Sequence, residues 1–133
     1  MEEIRKEVER WIRKAEDDLL VAREMLNFRK RIPWIICFHA QQAVEKYLKA
    51  FLIFHQVEFR KTHDISDLLE LCISVDKDFE KLRDLKIEKL TYYAVESRYP
   101  GFYEPDLEDA KEAVMIAEKV KEEVIKKLKL PQE

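Results

Sequence analysis

The chain has 133 residues, of which 40% are charged and 47% hydrophobic, and a formal net charge of −3. That length supports one domain with a real core but not two. One glycine and four prolines exclude a turn-rich β architecture, the abundance of Glu, Lys and Leu points to an all-α fold, and the negative balance excludes a global basic field, so contact with nucleic acid needs a local patch.

The N-terminus is charged from Glu2 and shows no apolar h-region, so no signal peptide is expected. The longest apolar runs, Ile32 to Phe38 and Ala50 to Phe54, fall well short of the roughly 20 residues of a bilayer span. Cys37 and Cys72 lie in apolar helical settings without metal-ligand spacing, as reduced core residues of a cytoplasmic protein would. One Asn and four Gln against many Lys and Glu suit the ion-pair-rich surface of a thermophile's protein.

In chain order, Val8, Trp11, Ile12, Ala15, Leu19, Ala22, Met25 and Leu26 recur at three- and four-residue steps. This predicts an amphipathic first helix from Glu2 or Glu3 to Asn27. Asp18, one turn from Ala15 and Ala22, either lies solvated on an edge or points into the bundle. Phe28 to Pro33 is a short connector, so the first two helices are antiparallel neighbours. Its Arg29, Lys30 and Arg31 either compensate a helix C-terminus or form an edge for phosphate.

A second helix is predicted from about Trp34 to His55. At about 100° per residue, Cys37, Ala40, Ala43, Val44, Tyr47, Leu48, Phe51 and Phe54 share one broad arc. His39, Gln42, Lys46 and Lys49 share a narrower one, with Gln41 and Glu45 along its edge and Ile35, Phe38, Leu52 and Ile53 beside it. A polar stripe flanked by apolar residues suits a central helix that packs on one side and lines a groove or meets a partner on the other.

A third, short helix begins near Thr62, Asp64 or Ser66, all capable N-caps, and ends near Val75. There His63 is either a capping or packing residue at the helix entrance or a chemical group. Phe79, Leu82, Leu85, Leu90, Tyr93 and Ala94 predict a fourth helix from about Asp78 to Ser97, with a break near Asp84–Lys86. It ends at Arg98-Tyr99-Pro100-Gly101. The last helix opens with Pro105 in its first turn or Asp106 as its cap, and carries the stripe Leu107, Ala110, Ala113, Val114, Ala117, Val120, Val124 and Leu128. Four long helices and one short one, joined by short connectors, make an all-α, up-and-down four-helix bundle as a single domain over residues 1–133.

Phosphate-binding loops, zinc-protease helices, serine-nucleophile elbows and Cys/His clusters are all absent. No Glu-x-x-His occurs, so neither a metal site nor a cofactor is expected. What remains is an ordered set of segments. Ala15-Glu16-Asp17-Asp18-Leu19 with Ala22 comes first, followed by the stretch from Phe38 to Ala50 (FHAQQAVEKYLKA). Thr62-His63-Asp64-Ile65 with Leu68-Leu69, Tyr92-Tyr93, Ser97-Arg98-Tyr99-Pro100 and Ala113 to Glu118 complete the set.

In this order, over nearly the whole chain, they resemble a HEPN domain, the small helical domain found in prokaryotes beside minimal nucleotidyltransferases. The resemblance implies a four-helix bundle that homodimerises, binds nucleotides or nucleic acid and, in many members, cleaves RNA without metal. The nuclease members carry an Arg and a His with four to six residues between them. Here those spacings from Arg98 lead to Tyr103, Glu104 and Pro105, and no histidine follows His63. With no histidine at that spacing, the expectation leans away from an enzyme.

The expected function is therefore a nucleotide- or nucleic-acid-binding module. Its expected partner is a separately encoded minimal nucleotidyltransferase, with the two forming a toxin–antitoxin pair. One alternative is a metal-independent RNase using His39 or His63 with Arg98, and another is a non-catalytic dimeric scaffold. Candidate phosphate-binding residues are His39, Gln42, Lys46, Lys49, Arg98 and Tyr99, with Tyr92, Tyr93 or Tyr99 available for base stacking. The competing role for the same charges is structural, with Glu45 or Asp18 pairing Lys46 or Arg98 to fix helix register.

Overall fold

The computed structural model describes residues 1–95, 99–101 and 104–129. Its elements are α1 (Glu2–Leu26), α2 (Pro33–Phe54), α3 (Ile65–Val75), a 3-10 segment (Lys77–Leu85), α4 (Lys89–Val95) and α5 (Leu107–Leu128). The all-helical class read from composition stands, and the ends of α1 and α2 and the start of α5 fall within one or two residues of expectation.

Every residue of α2 is buried or half-buried. It packs most extensively against α1, next against α5, and then against α4 and α3, so it forms the axis of the bundle. Alanines make the close approaches feasible: Ala15 and Ala22 on α1, Ala40, Ala43 and Ala50 on α2, and Ala110, Ala113 and Ala117 on α5 are all buried. Larger side chains, chiefly Tyr47, Phe51, Phe79, Leu48 and Ile116, fill the space between.

Local chemistry sets the helix ends. Pro33 opens α2, where its missing N–H costs nothing. Gln56, at φ 56°, turns the chain out of α2, and the Val57 N–H closes back onto the Leu52 carbonyl. Asp64, of the three candidate caps, starts α3 by accepting from the Ser66 N–H. Asp106, rather than Pro105, caps α5: its carboxylate accepts from the Asp109 N–H while Asp109 accepts from the Asp106 N–H.

The expected fourth helix is broken at Lys86, which adopts a left-handed conformation at φ 58°. The first part is 3-10 because Phe79, Leu82 and Leu85 recur every three residues, the period of that helix. Lys127 of α5 lies 3.0 Å from both Asp76 and Asp78 and ties this segment to the bundle. Glu123 adds a link to Lys81 at 2.7 Å and also pairs with Lys126 of its own helix at 3.0 Å.

Both cysteines are buried and unpaired. Burial, reinforced by Asp109, pushes the Cys37 thiol up to about 12, and burial raises Cys72 further, so neither behaves as a reactive thiolate. No helix among the described residues is long and apolar enough to cross a membrane.

Tyr47 is fully buried, its hydroxyl has no hydrogen-bond partner among the described residues, and burial drives its pKa upward. An unsatisfied buried hydroxyl costs about 1–3 kcal/mol. Tyr47→Phe is therefore expected to leave stability unchanged or raise it by up to about 1 kcal/mol, read as a higher urea midpoint at constant slope.

Candidate functional site

The polar stripe of α2 is organised by two carboxylates. Asp18 projects from α1 with its side chain only 13% exposed, which selects the inward of its two readings. Its Oδ1 lies 2.9 Å from His39 Nδ1, and its Oδ2 accepts from Lys46 Nζ at 2.5 Å. An ionised carboxylate only accepts, so the His39 proton facing it sits on Nδ1. A neutral ring then carries its lone pair on Nε2, which has no hydrogen-bond partner among the described residues. His39 is 28% exposed and Lys46 23%, so both reach the surface while Asp18 stays beneath them.

Glu45 forms the second centre, deeper in the fold and 4% exposed. It accepts from Lys49 at 2.8 Å and from Gln41 at 3.0 Å, and it lies 2.9 Å from His63 Nδ1. Gln42 continues the chain by donating to Gln41 Oε1 at 2.8 Å. Burial alone would raise the Glu45 pKa. The hydrogen bonds from Lys49, His63 and Gln41, with the Lys49 charge, outweigh it and hold the carboxyl below its ordinary 4.5.

The predicted residues thus separate into layers. Lys49 is enclosed, with its ammonium 5.5 Å from the Trp11 ring centre and 5.8 Å from that of Phe59. It holds the connector after α2 against α1 and α2. His63 marks the entrance to α3, 61% exposed and anchored to Glu45, while Asp64 does the capping. His39, Gln42 and Lys46 border the surface, and Tyr99 is exposed. Tyr92 is half-buried. Arg98 and the Tyr93 side chain lie outside the described residues. Within them, no group of three or more His, Cys, Asp or Glu side chains is placed to hold a metal ion.

Residues not singled out by the sequence adjoin this surface. A shallow groove of about 420 Å³ is lined by Arg10, Trp11, Lys14 and Lys46. The sequence signal was Arg10 and Lys14, one turn apart around a tryptophan, but Trp11 falls on the core stripe and reads as packing. A larger cleft of about 550 Å³ between the connector after α2 and α3 has the opposite character. Glu58, Asp67 and Glu70 line it, and its Arg60 is paired with Asp67 at 3.0 Å. Its charge disfavours phosphate.

Residues 8–128 match the HEPN domain. The chain belongs to the HEPN domain family. Among relatives it is 37% identical to the protein of Methanocaldococcus jannaschii named "Putative toxin MJ1304", with 84% of this chain and 82% of that protein covered. The crystal structure of ST0689, an archaeal HEPN homologue, matches with a TM-score of 0.71 at 29% identity, covering 90% of this chain and 96% of that one. The helical order around α2 is thus the HEPN arrangement, and the family resemblance read from the α2 segment and the Arg-Tyr-Pro step is correct.

Breaking a buried ion pair from one side leaves an uncompensated charge, at about 3–5 kcal/mol. Lys49→Met is expected to cost about 3 kcal/mol, with much of that loss recovered in Glu45→Leu/Lys49→Met, measured as a double-mutant cycle by urea unfolding. The folded Glu45 carboxyl is depressed, so its contribution is present above its ordinary 4.5 and is lost as pH falls below that value. Glu45→Gln is expected to flatten this part of the acid-stability curve.

Proposed function

We propose that this HEPN protein is a homodimeric nucleotide- or RNA-binding module, the toxin side of a pair whose other member is a separately encoded minimal nucleotidyltransferase. One observation carries the proposal. His39 and Lys46 share the Asp18 carboxylate at the partly open edge of the bundle's central helix. The carboxylate orients both groups and leaves Lys46 with spare N–H donors for a phosphate oxygen. The toxin assignment rests on similarity to the M. jannaschii relative named as one.

The same observation supports a second reading, metal-independent RNA cleavage. A histidine whose Nδ1 is held by a carboxylate presents Nε2 in the form that accepts a proton from a 2′-hydroxyl. Lys46 beside it would stabilise charge developing on the phosphate.

Mixed RNA incubated with and without EDTA distinguishes the readings. Cleavage that persists in EDTA and falls at least about 100-fold in His39→Ala is the expected result for the nuclease. Absence of cleavage in the wild type removes that reading and leaves binding. For binding, a thermal-shift series is expected to show stabilisation of about 2.7 kcal/mol at 100 times the dissociation constant. No shift with any nucleotide or oligonucleotide would reduce the protein to a scaffold. Co-expression with a neighbouring nucleotidyltransferase, followed by co-purification, tests the pairing.

A further inference from the structure

Among the described residues, the Arg10–Trp11–Lys14–Lys46 groove contains three cations and no acid, in a chain whose net charge is −3. Arg10 and Lys14 stand one turn apart on the same helix face, an arrangement that costs stability unless something neutralises it. Neither makes an ion pair among the described residues. Elsewhere the protein compensates closely spaced cations carefully: Lys81, Lys126 and Lys127 all meet Glu123, and Lys127 also meets Asp76 and Asp78. Lys46 gives Asp18 one of its three N–H donors and retains the rest.

Trp11 gives the groove its second property. Lys49, buried beneath, takes a position 5.5 Å from the ring centre and braces the indole from within. Trp11 itself is half-buried and forms a wall of the groove. A braced aromatic wall beside three cations is the combination that holds a base and its backbone together. The volume, about 420 Å³, lies in the range of small-ligand sites and suits one nucleotide unit.

We propose that this groove is a binding site for one nucleotide unit of single-stranded RNA, with the base stacked on Trp11 and the phosphate held by Arg10, Lys14 and Lys46. The proposal deepens the RNA-binding reading above and rests on it. Lys46 joins the two places, with Asp18 on one side and the groove on the other. A strand seated on Trp11 would therefore run past His39. The groove supplies affinity without reading sequence, since every base has a face to stack.

The test uses the full chain with Trp34→Phe, which leaves Trp11 as the sole tryptophan. Its fluorescence is titrated with a short oligoadenylate, with AMP and with inorganic phosphate. The oligoadenylate is expected to quench strongly, AMP more weakly, and phosphate not at all. Arg10→Glu/Lys14→Glu, at exposed positions, is expected to weaken oligoadenylate binding at least about tenfold and to reduce the salt slope by about 1.4. Trp11→Leu is expected to weaken it about fivefold or more with the slope unchanged, while Trp11→Phe retains binding, both read by anisotropy of labelled oligoadenylate. Phosphate matching the oligoadenylate would overturn the nucleotide assignment. Wild-type affinity and slope in Arg10→Glu/Lys14→Glu would overturn the groove. If His39→Ala or Gln42→Ala still weakened binding, the broader RNA-binding reading would survive that result. A wild type that answers neither RNA nor AMP would overturn both.

Discussion

The central helix can be enclosed on all sides only because its charges are neutralised where they stand. α2 carries His39, Glu45, Lys46 and Lys49 along a helix with no exposed residue, and a buried charge without a partner would cost several kcal/mol. Asp18 supplies the compensation across the α1–α2 seam, and Glu45 supplies it within α2 and to the connector after it. These pairs cost desolvation and return it as register. Sliding α1 by one turn would separate Asp18 from both His39 and Lys46, so the carboxylate specifies one alignment where alanine and leucine packing would tolerate several.

Arrangements of this kind set the charged groups at different depths. Glu45 and Lys49 sit within the fold, each satisfied several times over, and act on the position of Trp11 and Phe59. Asp18 lies at an intermediate depth. His39 and Lys46, anchored to it from below, present their remaining nitrogen valences outward. Arg10 and Lys14 lie beyond that seam with no acid counterpart among the described residues. Positive potential therefore gathers along one edge of a protein that is acidic overall, while the cleft beside α3 stays negative through Glu58, Asp67 and Glu70.

Much of this was legible in the sequence, for reasons specific to each element. Three- and four-residue periodicity located α1, α2 and α5, because each buries a stripe wide enough to dominate its pattern. The three-residue repeat Phe79, Leu82, Leu85 was visible too, but distinguishing 3-10 from α-helix required the left-handed turn at Lys86, a position where nothing in the residue type demands φ above zero. The stripe His39, Gln42, Lys46, Lys49 was read correctly as one face. Its division into surface and interior was not, since a helical wheel gives direction but not the height of neighbouring walls. Trp11 and Phe59 bury Lys49, and they come from elements remote in sequence. Asp18 was ambiguous for the same reason: its partners lie 21 and 28 residues away.

The absence of a histidine at the family's usual spacing after Arg98 acquires a physical meaning in this setting. In an Arg/His nuclease the proton shuttle and the phosphate clamp come from one short segment near the end of the helix before the last. Here two histidines have a carboxylate at Nδ1, His39 on α2 and His63 before α3, and the cation beside His39 in the Asp18 cluster is Lys46 on the same helix, seven residues along. His39 and Lys46 are fixed to a single carboxylate on a rigid neighbour rather than carried by a loop. A group positioned in this way has little freedom to follow a ligand. The aromatic wall of Trp11, held from beneath by Lys49, is a feature of the same frame.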